Sequence, residues 1–365
     1  MSLNGREPLQ VQTLHGAFDF QKQRLVLADG TQSDYLQQTN QQAVSAGLQE
    51  MGLYYVNRLS FHEVEGLVER VCGVRLACEQ TLWNWAQRKV EILDARLVQQ
   101  VRASEELPSP AVAEMLDLYD AAAEEVLVFT DAIGVKAQKP LRDKPGELPT
   151  KKEAKRHDTD VLLLEKPDGD FLYRMGSTDH AVSLVQVAQA GVRREWGQRE
   201  TPLPVVALTD GARKIRSDLL ALFGEKVTII LDGYHLHKRV YQHLSMSAHS
   251  KRERESWEHT LLGYLWHGQV AETLSFLGGL SPRNAEALAE LVGYLQKHTC
   301  EIIDYERRSA TGKSVGSGRM EKAVDQVIGM RQKKKGMSWS EQGSQTLAQL
   351  KIAELNGQWE QLFAA

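Results

Sequence analysis

Val126-Leu127-Val128-Phe129-Thr130-Asp131 is the stretch on which the reading of this chain turns. It is apolar, compatible with β-structure, and ends on a carboxylate. Two later stretches repeat the design: Val205-Val206-Ala207-Leu208-Thr209-Asp210 and Val227-Thr228-Ile229-Ile230-Leu231-Asp232. Continuous apolar runs of this length read as strands buried on both faces, not as half-exposed alternating strands. Parallel strands bring their carboxyl ends to one edge of a sheet, where such acids can gather. Converging oxygen ligands are how hard cations are held. Two carboxylates ~4 Å apart repel by about 4 kcal/mol at an effective dielectric of 20. A divalent cation removes that penalty. The plainer reading of one Asp after a strand is a turn former or a helix N-cap. Three in one chain, each closing an apolar run, shift the balance toward a cation.

Composition sets wide bounds around this stretch. The chain has 365 residues, 42% hydrophobic and 25% charged, enough for two or three domains with cores of their own. No apolar run approaches the ~20 residues of a membrane span, and no basic-then-apolar leader opens the chain. Cys72, Cys78 and Cys300 are too few and too scattered for a disulfide framework or a cysteine zinc site. These features lead to the expectation of a cytoplasmic protein. The net charge is −4, but its distribution is uneven. Acids crowd the region before residue 120, while basic clusters lie at 136–156 and 331–335. Local sign decides whether a polyanion can be gripped.

Upstream of the first run, residues 1–10 are expected to be irregular and Val11 to Leu27 to form a hairpin. Ser60-Phe61-His62-Glu63 is a capping box opening a helix that reaches Cys72-Gly73-Val74. A second helix carries Trp83, Trp85 and Arg88. The outline is a helix-turn-helix, and the plain alternative is a helical hairpin with buried tryptophans. Leu107-Pro108-Ser109-Pro110 closes this region. Downstream, Lys136 to Arg156 holds eight basic and three acidic residues with three prolines, a solvated loop or a phosphate-contacting arm. Lys151, Lys152, Lys155 and Arg156 are its candidate contacts. A hairpin through Pro167-Asp168-Gly169 follows, then helix, strand, helix, strand and helix. From Tyr241 to Tyr305 the pattern is helical throughout.

Ser314-Val315-Gly316-Ser317-Gly318-Arg319-Met320-Glu321 comes next, with Glu321 expected in the first turn of a helix. Arg331, Lys333, Lys334, Lys335 and Trp339 then offer phosphate contacts and a stacking face. The plain alternative is a solvated helix C-terminus.

The ordered set resembles a known group. Asp131, Thr209-Asp210-Gly211, Asp232-Gly233-Tyr234-His235, Gly316-Ser317-Gly318 leading to Glu321, and the run from Arg331 to Ser340 are similar to motifs of the DDE transposases of bacterial insertion sequences. The resemblance is to the Mutator-like superfamily, in its Kra and Lre branch, and covers about Val126 to Leu350. It implies an α/β, ribonuclease H-like mixed sheet with flanking helices, interrupted by an all-helical insertion and preceded by the helix-turn-helix-like region. The organisation expected is a hairpin or irregular segment at 1–35, a helical DNA-binding region at 36–120, a catalytic core at 121–240 and 313–365, and an insertion at 241–312.

The resemblance further implies a catalytic and metal-binding triad of Asp131, Asp210 and Glu321, with two Mg²⁺ or Mn²⁺ ions. Asp232 and His235 would help place a DNA strand, and Asp232 is an alternative to Asp210 as the second ligand. The partners implied are transposon ends and target DNA, with a homodimer or larger assembly to pair two ends, and no membrane. Ala132 stands where relatives often carry Gly, and the N-terminal cysteine clusters of some relatives are absent. Two alternatives stay open: a structure-specific metal-dependent nuclease of the same fold, and a catalytically inactive DNA-binding relic. A zinc hydrolase on Asp232, His235 and His237 is disfavoured, because residues two apart on a helix face different ways.

Overall fold

The computed structural model describes residues 2–26, 32–34, 44–138 and 156–364. In chain order the elements are β1 (Ser2–Thr13), β2 (Gly16–Val26), β3 (Gln32–Asp34), α1 (Ala46–Val56), α2 (Phe61–Cys72), α3 (Glu79–Ser104), β4 (Val126–Lys136), β5 (Arg156–Glu165), β6 (Phe171–Arg174), α4 (Leu184–Trp196), β7 (Val205–Thr209), α5 (Arg213–Phe223) and β8 (Thr228–Leu231). They continue through α6 (Gly233–Ser247), α7 (Lys251–Trp266), α8 (Val270–Gly278), α9 (Ala285–Lys297), α10 (Tyr305–Ala310), α11 (Gly318–Val324), a π-helical turn at Asp325–Gly329, α12 (Met330–Gln332) and α13 (Glu341–Leu355). The class is mixed α/β, with a mixed sheet and many helices. The chain divides into two compact units. One comprises Met1–Arg96, Val135–His157 and Gln326–Ala365; the other comprises Leu97–Gly134 and Asp158–Asp325.

In the first unit, β1, β2 and β3 form an antiparallel sheet. The hairpin is longer than the sequence suggested: pairing runs outward from Thr13↔Gly16 to Ser2↔Val26, so most of residues 1–10 are strand. Backbone ladder bonds can extend a hairpin without an apolar pattern to announce it. Helices α1, α2, α3 and α13 share a core that includes Leu48, Leu53, Val68, Leu82, Trp85 and Leu347. The Ser60–Glu63 capping box forms on both sides, Ser60 Oγ accepting from Glu63 N and the Glu63 carboxylate accepting from Ser60 N. Gly73, at φ +74°, ends α2 in the left-handed region. Residues 73–78 connect α2 to α3, a longer link than the three or four residues of a DNA-reading helix-turn-helix. Trp85 and Leu82 are buried in the helical core.

The second unit is built on a five-stranded sheet in the order β6-β5-β4-β7-β8. β4, β7 and β8 are parallel, and β5 and β6 are an antiparallel hairpin. The apolar runs are buried on both faces, as their continuity required. Val126, Val128, Leu162, Leu164, Val205 and Ala207 point to the side packed by α4 and α5. Leu127, Phe129, Leu163, Val206 and Leu208, at the alternating positions, are buried as well. Residues 105–125, open between helix and linker in the sequence, contain no helix. No described helix is long and apolar enough to cross a membrane.

Candidate active site at the carboxyl edge of the sheet

The register of the parallel strands fixes where the three strand-end acids stand. Phe129 pairs with Leu208 and Thr209 with Leu231. Carried one or two rungs onward, that register sets Asp131 level with Asp210, and Asp210 level with Asp232. Neighbouring strands lie roughly 4.8 Å apart, so the three backbones form a row across the sheet edge. The sequence suggested that Asp131 closes its strand. Instead β4 continues to Lys136, and Asp131 stands mid-strand where its neighbours β7 and β8 stop. Turn formers were sought after an apolar run, but here the partner strands end and β4 does not.

Their surroundings separate the three acids. Asp131 is half-buried and Asp210 is exposed. Asp210 Oδ1 accepts from Ala212 N at 2.8 Å, turning the chain through Gly211 into α5. Gly211 has φ +83°, and a Cβ there would meet the His298 ring at 3.0 Å. Asp232 is 1% exposed and caps α6. Its Oδ1 accepts from Tyr234 N at 2.6 Å and His235 N at 3.1 Å, and its Oδ2 accepts from Ser317 N. Both carboxylate oxygens are thus committed to backbone donors. His235 is half-buried in the first turn of α6, and His237 pairs with Glu258 at 3.2 Å.

Glu321 lies in the first turn of α11 and is exposed. The segment carrying it is tied to the sheet edge by Ser317 N on Asp232 and by Gly233 N donating to Val315 O. A buried ion cluster braces the same segment. Arg308, 0% exposed, makes a two-pronged contact with Glu125 at 2.9 and 2.7 Å, and donates to Ser314 O and Leu118 O. Lys313 adds a third contact to Glu125 at 2.8 Å. Nothing in the sequence singled out Arg308 or Glu125, because a buried pair 183 residues apart leaves no local pattern.

The helical segment brings further groups to this edge. The Tyr305 hydroxyl donates to Leu231 O at 2.8 Å, and the Tyr305 ring stacks on Trp266 with centroids 5.8 Å apart. An apolar pocket of about 240 Å³ opens there, lined by Gly233, Leu236, His237, Leu262, Leu265, Trp266 and Tyr305. Tyr294 and His298 lie nearby with ring centroids 4.7 Å apart. Burial above all, with the charges of Lys297 and Arg216, pushes His298 down to about 4. Burial, followed by Asp210 and Asp232, pushes Tyr294 up to about 12.

Asp131 and Asp210, side by side with exposed or partly exposed oxygens, fit a hard divalent cation. Asp232, with both oxygens taken, does not. Among the described residues, no three His, Cys, Asp or Glu side chains gather closely enough to hold a metal ion.

The expected DNA contacts, all in the first unit, divide. Lys333, Lys334 and Lys335 are exposed, as are Arg156 and Arg88. Arg331 is 3% exposed: its Nε donates to Val56 O and its guanidinium lies 4.9 Å from the Trp339 ring centroid. Burial lowers it to about 10, so it stays charged inside the unit instead of facing a phosphate. Trp339 donates through Nε1 to Gln332 O and packs against the helical core, which removes it as a free stacking face. Lys151, Lys152 and Lys155 lie outside the described residues.

Comparison with known proteins adds little to this geometry. A family model described as "Uncharacterised protein family (UPF0236)" matches residues 186–362, a span that includes Asp210, Asp232, His298 and Glu321 but not Asp131. No curated protein matches the chain. Among solved structures, one titled "Drosophila P element transposase strand transfer complex" is similar at 9% identity, over 86% of this chain and 80% of that one, with a TM-score of 0.28. A likeness of that size decides neither topology nor chemistry.

Proposed function

We propose that the chain is a DDE-type transposase of the Mutator-like superfamily, cleaving DNA and transferring the new end with divalent cations. The observation that carries this reading is the row of Asp131 and Asp210 on adjacent parallel strands. The sheet order supports it: counting from β4, the strands run third, second, first, fourth, fifth, the arrangement of a ribonuclease H-like core. Asp131 and Asp210 would hold the cations, and Glu321 would join them from α11. Bound Mg²⁺ or Mn²⁺ would supply activation of the attacking oxygen and charge neutralisation at the leaving oxygen. Asp232 has a separate duty, fixing the α6 N-terminus and the Ser317 backbone so that α11 is held at the sheet edge. Lys333, Lys334, Lys335 and Arg156 would bind phosphates and supply affinity without sequence preference. Pairing of two transposon ends calls for a dimer or larger assembly.

A second reading, a DNA-binding relic without chemistry, draws on one observation: no three acids gather among the described residues. The test is Mg²⁺- or Mn²⁺-dependent cleavage and joining of DNA carrying the flanking inverted repeats. Wild type is compared with Asp131→Ala, Asp210→Ala, Asp232→Ala and Glu321→Ala. Joined product in wild type, lost in the Asp131, Asp210 and Glu321 variants, is the expected result. DNA binding without cleavage under either metal would overturn it in favour of the relic.

A further inference from the structure

His298 and Glu301 form an ion-braced pair beside Asp210. His298 is 2% exposed, and its Nδ1 lies 2.6 Å from Glu301 Oε2. Glu301 is itself paired with Arg216. A carboxylate so paired accepts, so Nδ1 carries the proton and Nε2 is left as a bare acceptor. That Nε2 is buried and has no partner, and it lies 3.2 Å from where a Cβ of Gly211 would be. The Tyr294 hydroxyl, on the neighbouring ring, is the second buried polar atom without a partner in this place. The Asp210 charge acts on both rings. Buried polar groups in folded proteins are nearly always satisfied, so two orphans side by side mark a position built for a polar guest. One donor and one acceptor suit a single water or hydroxyl.

We propose that Tyr294 and His298 are positioning residues for Asp210, together holding one water against its carboxylate and so fixing its orientation as a metal ligand. The proposal rests on the assignment of Asp210 as a ligand. Support of this kind behind a ligand is worth roughly ten- to a hundredfold in metal affinity. The low proton affinity of His298 keeps Nε2 an acceptor at neutral pH, and the high one of Tyr294 keeps its hydroxyl a donor.

The experiment is titration of the full chain with Mn²⁺ alone, followed by calorimetry, alongside thermal unfolding. His298→Asn keeps a donor where Nδ1 meets Glu301 and deletes Nε2. His298→Gln returns an acceptor near the Nε2 position. Tyr294→Phe deletes only the hydroxyl. The expected result is about tenfold weaker Mn²⁺ binding in His298→Asn and Tyr294→Phe, with unfolding midpoints close to wild type and partial recovery in His298→Gln. Unchanged affinity in both deletions, while Asp210→Ala abolishes binding, would overturn the proposal and leave the metal assignment of Asp210 standing. No Mn²⁺ binding by wild type would overturn both. Should His298→Asn fail to fold, Tyr294→Phe decides alone.

Discussion

Replacing Asp232 separates a structural acid from a metal ligand. Its carboxylate accepts three backbone N–H groups: Tyr234 and His235 at the start of α6, and Ser317 before α11. Loss of a helix N-cap costs about 0.5–2 kcal/mol. Loss of a hydrogen bond to a charged acceptor costs about 1.5–3 kcal/mol. Asp232→Ala should therefore destabilise the second unit by about 2–5 kcal/mol. Asp232→Asn keeps an oxygen for the cap but turns an NH₂ toward Ser317 N–H, so it should lose about 1.5–3 kcal/mol. Asp210→Ala removes one contact from an exposed side chain and should cost no more than about 1 kcal/mol. Native-state hydrogen exchange reads this locally. The Ser317 amide should exchange about ten- to a hundredfold faster in Asp232→Asn and hardly change in Asp210→Ala. Mn²⁺ titration should give the opposite ranking, with affinity lost in Asp210→Ala. An Asp232→Ala chain of wild-type stability, with an unchanged Ser317 amide and no Mn²⁺ binding, would refute the reasoning and make Asp232 the ligand.

Other outcomes follow from the same geometry. Glu125→Ala leaves the Arg308 guanidinium buried without its countercharge and should cost about 3–5 kcal/mol, read by urea unfolding. Glu125→Ala with Arg308→Met should recover part of that loss. Gly211→Ala forces a side chain to φ +83° and a methyl onto His298, and should cost at least about 1–2 kcal/mol by the same assay. His298 titrates near 4 in the folded chain and near 6.5 when unfolded, so the unfolded chain binds the extra proton between those values. Its contribution to stability is complete above about pH 6.5 and is lost as pH falls toward about 4, and this part of the stability–pH curve should vanish in His298→Asn. Lys333→Gln, Lys334→Gln and Lys335→Gln should each lower the slope of log affinity for DNA against log salt by about 0.9 if the side chain contacts a phosphate. Arg331→Gln should instead lower stability, because its guanidinium is spent on Val56 O and Trp339.

The strand runs carried their own explanation. Continuous apolar residues needed cover on two faces, and the sheet supplies it with Val126 and Val128 on one side and Leu127 and Phe129 on the other. Adjacency of the first and fourth strands of the sheet followed from element order, and with it the pairing of Asp131 and Asp210. Basic residues near a helix end were harder to read. Lys333, Lys334 and Lys335 are exposed, while Arg331, two residues earlier, is buried. Charge alone did not distinguish them, because the difference lies in which residue meets Val56 O and the Trp339 face across 275 residues. Arg308, Glu125 and His298 were missed for the same reason: each owes its environment to a partner distant in sequence or to burial that no local period reports.

Asp232 shows why three similar motifs did not have three similar fates. Each Asp follows an apolar strand, so local sequence treats them alike. What distinguishes them is the next residues and the chain that returns. After Asp232, α6 begins at once at Gly233, so two first-turn N–H groups fall on the carboxylate. After Asp210, Gly211 and Ala212 intervene before α5, and the carboxylate takes only the Ala212 N–H as it faces solvent. After Asp131 the strand continues, so no helix N-terminus arrives to claim it. The Ser317 backbone then takes the remaining oxygen of Asp232 from about 85 residues away. The acid withdrawn from solvent is the one that holds the Glu321 segment, and the two left accessible are those on which a cation can be held. This division lets a row of three carboxylates carry one structural and two ligand roles, with the helical segment supplying Tyr294 and His298 behind Asp210.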